Sequence, residues 1–308
     1  MLKIGVVGIG HLGSYHLQKY GILPDNAITG VADRDEERAK KAAVLYRCPA
    51  YVDHREMIGT VDAVSIAVPT AAHYSVAKDF LNAGVDVLLE KPITENLSDA
   101  DDLVAIAEKN HCIFQIGFVE RFNPAVIALE KVMGPPLFIE AHRLHPFFER
   151  GTDVDVILDL MIHDIDIILH FTQSPLKSVE AVGVPVMSDK IDISNVRLTF
   201  ESGCVANLTA SRISTKTMQK MRFFGVDSYN SVDSEKRELV SLGRIKTPEG
   251  KFEIIQNPFE VKMHDSLEEE IRSFLYACLN RQKPAVTGRD GRDALEVATM
   301  IMEQMKTL

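Results

Sequence analysis

The feature that most constrains this chain comes at its start, where an apolar run, LKIGVV, passes directly into Gly8, Gly10 and Gly13 spaced as GxGxxG (GIGHLG). A buried strand that turns through glycines into a helix leaves backbone N–H groups uncovered at the positive end of the helix dipole, where a pyrophosphate can approach closely. Three glycines alone also fit a tight turn with no ligand. Asp33 separates the two readings, because it closes the next strand-like run (AITGVAD) twenty residues beyond Gly13, where a carboxylate accepts hydrogen bonds from adenosine ribose hydroxyls. The expected ligand is a dinucleotide, with Gly8, Gly10, His11, Leu12, Gly13 and Asp33 at the cofactor. The charge of Asp33 repels a 2′-phosphate and so favours NAD over NADP. Arg34 beside it pulls the other way, since a guanidinium stacks on adenine or pairs with that phosphate.

Up to Val119 the pattern continues as short apolar runs, VDAVSIAVP, VDVLLEKP and CIFQIGF, separated by helical stretches such as SDADDLVAIAEKN. That alternation predicts a doubly wound parallel sheet with helices on both faces. Ser98 followed by Asp101 resembles a capping box that opens the last of these helices. From Glu120 the texture changes to GPP at 134–136, an extended stretch from Leu137 to His145, and an apolar-periodic helix from about Asp153 to Phe171. After Pro175 the runs SVEAVGVPVM, NVRLTFES, CVANLTASRIS, MQKMRFFGV and RELVSLG follow one another without helices between them, which predicts a mainly antiparallel sheet. Helices over Ser266–Arg281 and Arg289–Lys306 close the chain. The expected organisation is an α/β domain over 1–119 and an α+β domain over 120–308, with the helix 289–308 returning to the first domain.

A formal charge of −10 disfavours nucleic acid and anionic membranes as partners and leaves a small molecule as the expected one. No segment approaches the ~18 consecutive apolar residues of a membrane span. The four cysteines lie far apart without a CxxC pair, consistent with reduced thiols, and the expected location is the cytoplasm.

Glu90, Lys91 and Pro92 end the buried run VDVLL, at the carboxyl edge where doubly wound sheets hold ligands. Lys91 in that place is either a solvated strand-end lysine or a cation projecting into the ligand crevice. On the helix after Asp153, Asp155, Asp159, His163, Asp166 and His170 recur every three or four residues and so share one face. Such a stripe fits a solvent face, a metal site or acid–base chemistry. In the last reading His163, with an ordinary pKa of about 6.5, takes a hydroxyl proton and Asp159 orients its ring. Arg121, Arg143, Arg212, Lys216, Lys220 and Arg222 concentrate cations in the second domain of an acidic chain. They suit phosphate binding, although nearby acids such as Glu120 can satisfy them internally.

Together GIGHLG, EKP and DLMIHDID resemble the Gfo/Idh/MocA oxidoreductase family across essentially the whole chain. The resemblance implies a Rossmann domain followed by an open-faced, mainly antiparallel sheet, with homodimer or homotetramer contacts through that sheet. It also implies catalytic roles for Lys91, Asp159 and His163, and cofactor contacts from Glu90, Lys91 and the loop residues Pro69, Thr70 and His73. Within the family, FVERFNPA, AHRLHPF and ASRIS with KTMQKMRFFG are most similar to the branch that oxidises the 3-hydroxyl of UDP-N-acetylglucosamine on the way to the 3-amino sugar of some lipid A molecules. That similarity implies a nucleotide-sugar substrate, for which Arg121, Asn123, Arg143, Arg212 and Lys220 are the expected contacts; no metal is expected, because the Lys91 cation and the His163 base already cover the charge and proton changes. The alternatives are another sugar or inositol dehydrogenase, or a dinucleotide-binding regulator without turnover.

Overall fold

The computed structural model describes residues 1–147 and 154–307. Strand β1 (Leu2–Val7) leads through the glycine turn into α1 (His11–Ile22), followed by β2 (Asn26–Ala32), α2 (Glu36–Tyr46), β3 (Ala50–Tyr51), β4 (Ala63–Ile66), α3 (His73–Asn82), β5 (Asp86–Glu90), α4 (Leu97–Lys109) and β6 (Phe114–Gly117). These six strands form one parallel sheet in the order β3-β2-β1-β4-β5-β6. Every residue of β4, β5 and β6 is buried, as expected of parallel strands covered on both faces. The order reverses between β1 and β4, the switch point at which such sheets open a crevice at their carboxyl ends. The two-residue strand β3 has no apolar run to announce it.

The helix caps correct one expectation. Helix α4 begins earlier than the Ser98–Asp101 reading placed it: Asn96 is the cap, its Oδ1 accepts from the Asp99 amide at 3.0 Å and its Nδ2 donates to the Asp99 carboxylate at 2.8 Å. Asn satisfies an orphan helix amide at least as well as Ser, and the true box lies two residues upstream.

After α5 (Pro124–Glu130) and β7 (Phe138–Leu144), a π-helical turn over Ile157–Met161 runs into α6 (Ile162–Thr172). Next come β8 (Leu176–Val184), β9 (Ile193–Phe200), β10 (Val205–Ser211), β11 (Met218–Gly225), β12 (Ser228–Asp233), β13 (Glu238–Lys246) and β14 (Phe252–Gln256). The chain ends with α7 (Ser266–Asn280), α8 (Gly288–Gln304) and β15 (Lys306–Thr307). The second sheet has the order β14-β13-β12-β11-β7-β10-β9-β8-β15. It is antiparallel except for the pairs β7/β10 and β8/β15. Strands β12 (SYNSVD) and β14 (FEIIQ) escape the apolar-run reading: β12 buries Asn230 and Ser231 beside Val232, and every residue of β14 is exposed. The helix expected from about Asp153 starts later, and the start of that range lies outside the described residues.

The chain divides into two compact units, Met1–Val119 with Asp265–Leu295 and Glu120–His264 with Glu296–Leu308. Residues 120–308 are therefore not one domain. Helix α7 and the first turns of α8 belong to the first unit, because Ile271, Phe274, Leu275 and Cys278 of α7 share a core with Ile4, Leu17 and Leu88. Among the described residues no helix is long and apolar enough to cross a membrane.

Candidate active site

In the first unit the glycine loop has the geometry its spacing demands. Gly8 has φ +86°, and a side chain there would lie 2.7 Å from the Ala67 carbonyl oxygen. A Cβ on Gly13 would come within 1.8 Å of the Gly8 carbonyl oxygen, so only glycine lets α1 start so near the strand. Gly10 faces open space with nothing within 4 Å, and α1 has no side-chain cap. An anion is thus admitted to the helix N-terminus, flanked by the exposed His11 and Leu12.

Asp33, at the end of β2, is buried and held rigidly. Its Oδ2 accepts from the Ile9 amide at 2.7 Å and from Arg38 at 3.3 Å, and its Oδ1 accepts from the Asp35 amide at 2.9 Å. The cation on Asp33 is thus Arg38, one turn into α2, while Arg34 is exposed. A carboxylate has further acceptor sites beyond these bonds, so Asp33 retains capacity for ribose hydroxyls. The loop and this carboxylate together fit a dinucleotide.

Lys91 is half-buried at the carboxyl end of β5, and the Lys91–Pro92 peptide is cis. Its neighbours are turned inward. Glu90, expected at the cofactor, instead accepts from His16 Nε2 at 3.0 Å and lies against Gly117, where a Cβ would stand 3.0 Å from its carboxyl. His73, also expected at the cofactor, is buried with Nδ1 2.8 Å from the Pro92 carbonyl and Nε2 2.9 Å from that of Val68. Desolvation holds its pKa below the ordinary histidine value against the pull of those carbonyls. His73 therefore clips the turn after Lys91 to the loop after β4. Pro69 is exposed, and Thr70 opens the short helical turn of that loop.

In the second unit Asp159 lies in the π turn and His163 one residue into α6, both half-buried. The π turn breaks the 3.6-residue period on which the single polar stripe rested. The stripe is divided: Asp155 accepts from the Ile191 amide at 2.8 Å, Asp166 is buried against Arg121, and His170 Nε2 lies 2.9 Å from Glu130.

The arginines expected at the substrate are taken up internally. Arg121, Arg143 and Arg212 are 7%, 4% and 1% exposed. Arg121 donates to Asp166 at 2.8 Å, Arg143 to Asp164 at 2.8 and 3.0 Å and to Glu120 at 3.2 Å, and Arg212 to Asp192 at 2.8 Å. Asn123 caps α5 by accepting from Ala125 and donates to the Ser234 carbonyl. The physical reason is desolvation: a buried guanidinium without an acid costs several kcal/mol, and the acids that surround these arginines offset it. Lys220 is half-buried on β11 and Lys216 exposed, while Arg222 meets Glu140 at 3.2 Å.

Sequence reading missed a buried cluster in the first unit: His16 and Tyr20 of α1, Ser65 of β4, and Glu270 of α7. A signal existed for Glu270, which occupies the apolar stripe Leu267, Ile271, Phe274, Leu275 and Cys278 where an acid is out of place.

Residues 2–118 match the model of the oxidoreductase family with the NAD-binding Rossmann fold, and residues 130–228 match the GFO/IDH/MocA C-terminal domain. The chain is 38% identical over 302 residues to the UDP-N-acetylglucosamine 3-dehydrogenase of Acidithiobacillus ferrooxidans, covering 97% of this chain and 96% of that one. The solved structure of that enzyme superposes with a TM-score of 0.92 over 99% of this chain and 97% of that chain, at 37% identity. A myo-inositol 2-dehydrogenase of Thermotoga maritima is 26% identical over 96% of this chain and 93% of its own length. Strand–glycine–helix geometry, the second sheet and these likenesses agree, and the chain belongs to the Gfo/Idh/MocA family of oxidoreductases.

Proposed function

We propose that the chain oxidises UDP-N-acetylglucosamine at its 3-hydroxyl to the 3-keto sugar, with NAD as hydride acceptor. The observation that carries this reading is the 38% identity, spread over 97% of the chain, to an enzyme of that activity. NAD, when bound, supplies the nicotinamide carbon that accepts the hydride. Gly8, Gly10 and Gly13 admit its pyrophosphate, and Asp33 accepts from its ribose and disfavours a 2′-phosphate. His163 takes the hydroxyl proton; its Nδ1 is shut from solvent, which leaves Nε2 for that step. Lys91 steadies the developing alkoxide through its charge, and Asp159 orients base or substrate. The diphosphate needs cations other than the three internally paired arginines, and Lys216 and Lys220 are the ones offered.

Self-association through the second sheet fits the exposed apolar side chains Phe252, Ile254 and Ile255 on β14 and is read by sedimentation. The deciding experiment compares NADH formation from UDP-N-acetylglucosamine, free N-acetylglucosamine, glucose and myo-inositol, with mass spectrometry for loss of two hydrogens. The UDP sugar is expected to give by far the highest kcat/KM, since a remote anchor positions the reacting carbon. Activity confined to inositol would replace the substrate in favour of the second reading, which the Thermotoga relative supports.

A further inference from the structure

Lys91 sits between two residues that are pinned from different helices. On one side the Pro92 carbonyl lies 2.8 Å from His73 of α3, and on the other the Glu90 carboxylate accepts from His16 of α1. The second contact belongs to a hydrogen-bond chain. The Glu90 carboxylate accepts from His16 Nε2 at 3.0 Å, His16 Nδ1 lies 3.1 Å from Ser65 Oγ, and Ser65 Oγ lies 2.8 Å from the Tyr20 hydroxyl. Burial raises the Tyr20 pKa and keeps that hydroxyl protonated. Both ring nitrogens of His16 are thereby engaged.

Glu270 completes the group and is treated differently. Its carboxyl lies within 4.8 Å of a ring nitrogen of His16 and a carboxylate oxygen of Glu90. The residue is 0% exposed, and both carboxyl oxygens are buried without a hydrogen-bond partner. The titratable groups facing it are Glu90 of β5 and His16 and Tyr20 of α1. Two ionised carboxylates in this place would suffer desolvation and mutual repulsion together, and among the described residues no hydrogen-bond donor meets the Glu270 carboxyl to offset it. Burial, and then the charge of Glu90, push the Glu270 carboxyl well above the usual carboxylate range.

We propose that Glu270 carries a proton, and that this neutral acid lets Glu90 remain the single anion of the trio, so that His16, by holding Glu90, acts as a positioning residue for Lys91. The consequence at Lys91 rests on the hydride-transfer reading above; the proton on Glu270 does not.

Two substitutions test it in the full-length enzyme. Glu270→Gln keeps a neutral side chain of the same shape and is expected to hold kcat within about threefold and leave its pH profile in place. His16→Ala removes the ring from which Glu90 accepts. It is expected to keep the KM for NAD within about threefold, to lower kcat roughly 10- to 100-fold, and to move the acidic limb of the kcat profile. Wild-type kcat and an unmoved profile in His16→Ala would overturn the positioning role.

A second arm needs no substrate. A carboxyl that stays protonated in the folded state above its unfolded value of 4.5 contributes stability below that pH, and the contribution is lost as pH rises. The Tm of Glu270→Gln should therefore gain on wild type by up to roughly 3 °C per pH unit above that value, until Glu270 itself ionises. A gap independent of pH overturns the protonated acid, as does stoichiometric zinc or manganese in the wild type that Glu270→Gln loses. Should no nucleotide sugar react, the turnover arm runs on whichever polyol the wild type oxidises, and the unfolding arm stands unchanged. Failure of the substrate assignment and failure of this proposal are then read separately.

Discussion

Arg143 and Glu270 are both sealed from water, one in each unit, and their surroundings are opposite. Arg143 is matched by Asp164 and Glu120, as Arg121 is by Asp166 and Arg212 by Asp192. Among the described residues Glu270 has no cation in its ion pairs or hydrogen bonds, and it shares its site with a second acid. Arg143 keeps its charge because Asp164 and Glu120 offset its burial, even though burial raises the Asp164 carboxyl, and the pair acts as a fixed strut. An unbalanced group must hold a proton, and its state follows the pH and the neighbours. The second unit thus uses buried charge for shape, whereas the first sets a titratable acid against Glu90, the residue before Lys91.

The sharpest way to break this contrast is at the proposed reacting groups. Lys91→Ala and His163→Ala should each lower turnover about 10²- to 10⁴-fold while leaving NAD binding measurable by fluorescence titration. Near-normal turnover by His163→Ala at neutral pH would remove it from the base role. Arg143→Ala comes next. If it is a strut, its loss strands Asp164 and Glu120 and should cost about 3–5 kcal/mol of stability in chemical denaturation. Unchanged stability with a weakened KM for the UDP sugar would return Arg143 to the substrate site and dissolve the comparison.

Asp33→Ser should weaken NAD roughly 10- to 100-fold, the worth of hydrogen bonds to a charged acceptor, and relatively improve NADP. A wild type that already prefers NADP by a wide margin would contradict the role given to Asp33. The smallest effect is expected from Arg222→Ala, whose partner Glu140 has a side chain 34% exposed. A stability change within about 1 kcal/mol would show that burial, rather than ion pairing as such, sets the cost in the second unit.

The glycine loop, Asp33 and the alternation of strands and helices were legible in the sequence because each rests on local spacing. So was the mainly antiparallel second sheet, through its apolar runs. Strand β12 was not, since Asn230 and Ser231 are buried by neighbouring strands whose approach no local pattern records. The arginine partners were hidden for the same reason: Arg143 meets Asp164 across 21 residues of sequence and Arg212 meets Asp192 across 20, and composition cannot tell a paired guanidinium from one offered to phosphate. The π turn broke a helical stripe that the sequence alone made continuous. Glu270 was readable in principle, as an acid within an apolar stripe, but its partner Glu90 lies on a distant strand.

Strand β7 lies in the middle of the second sheet, between β10 and β11, yet it is made first. During synthesis both of its edges have no strand of this sheet to pair with until Val205–Ser211 and Met218–Gly225 have left the ribosome, so an interval of translation exposes a strand with two open edges. Closing it requires long-range pairing, the slow kind of step in folding. Translation speed between residues 145 and 225 thus becomes a determinant of yield, and slow synthesis across that stretch would favour association between nascent chains over native closure.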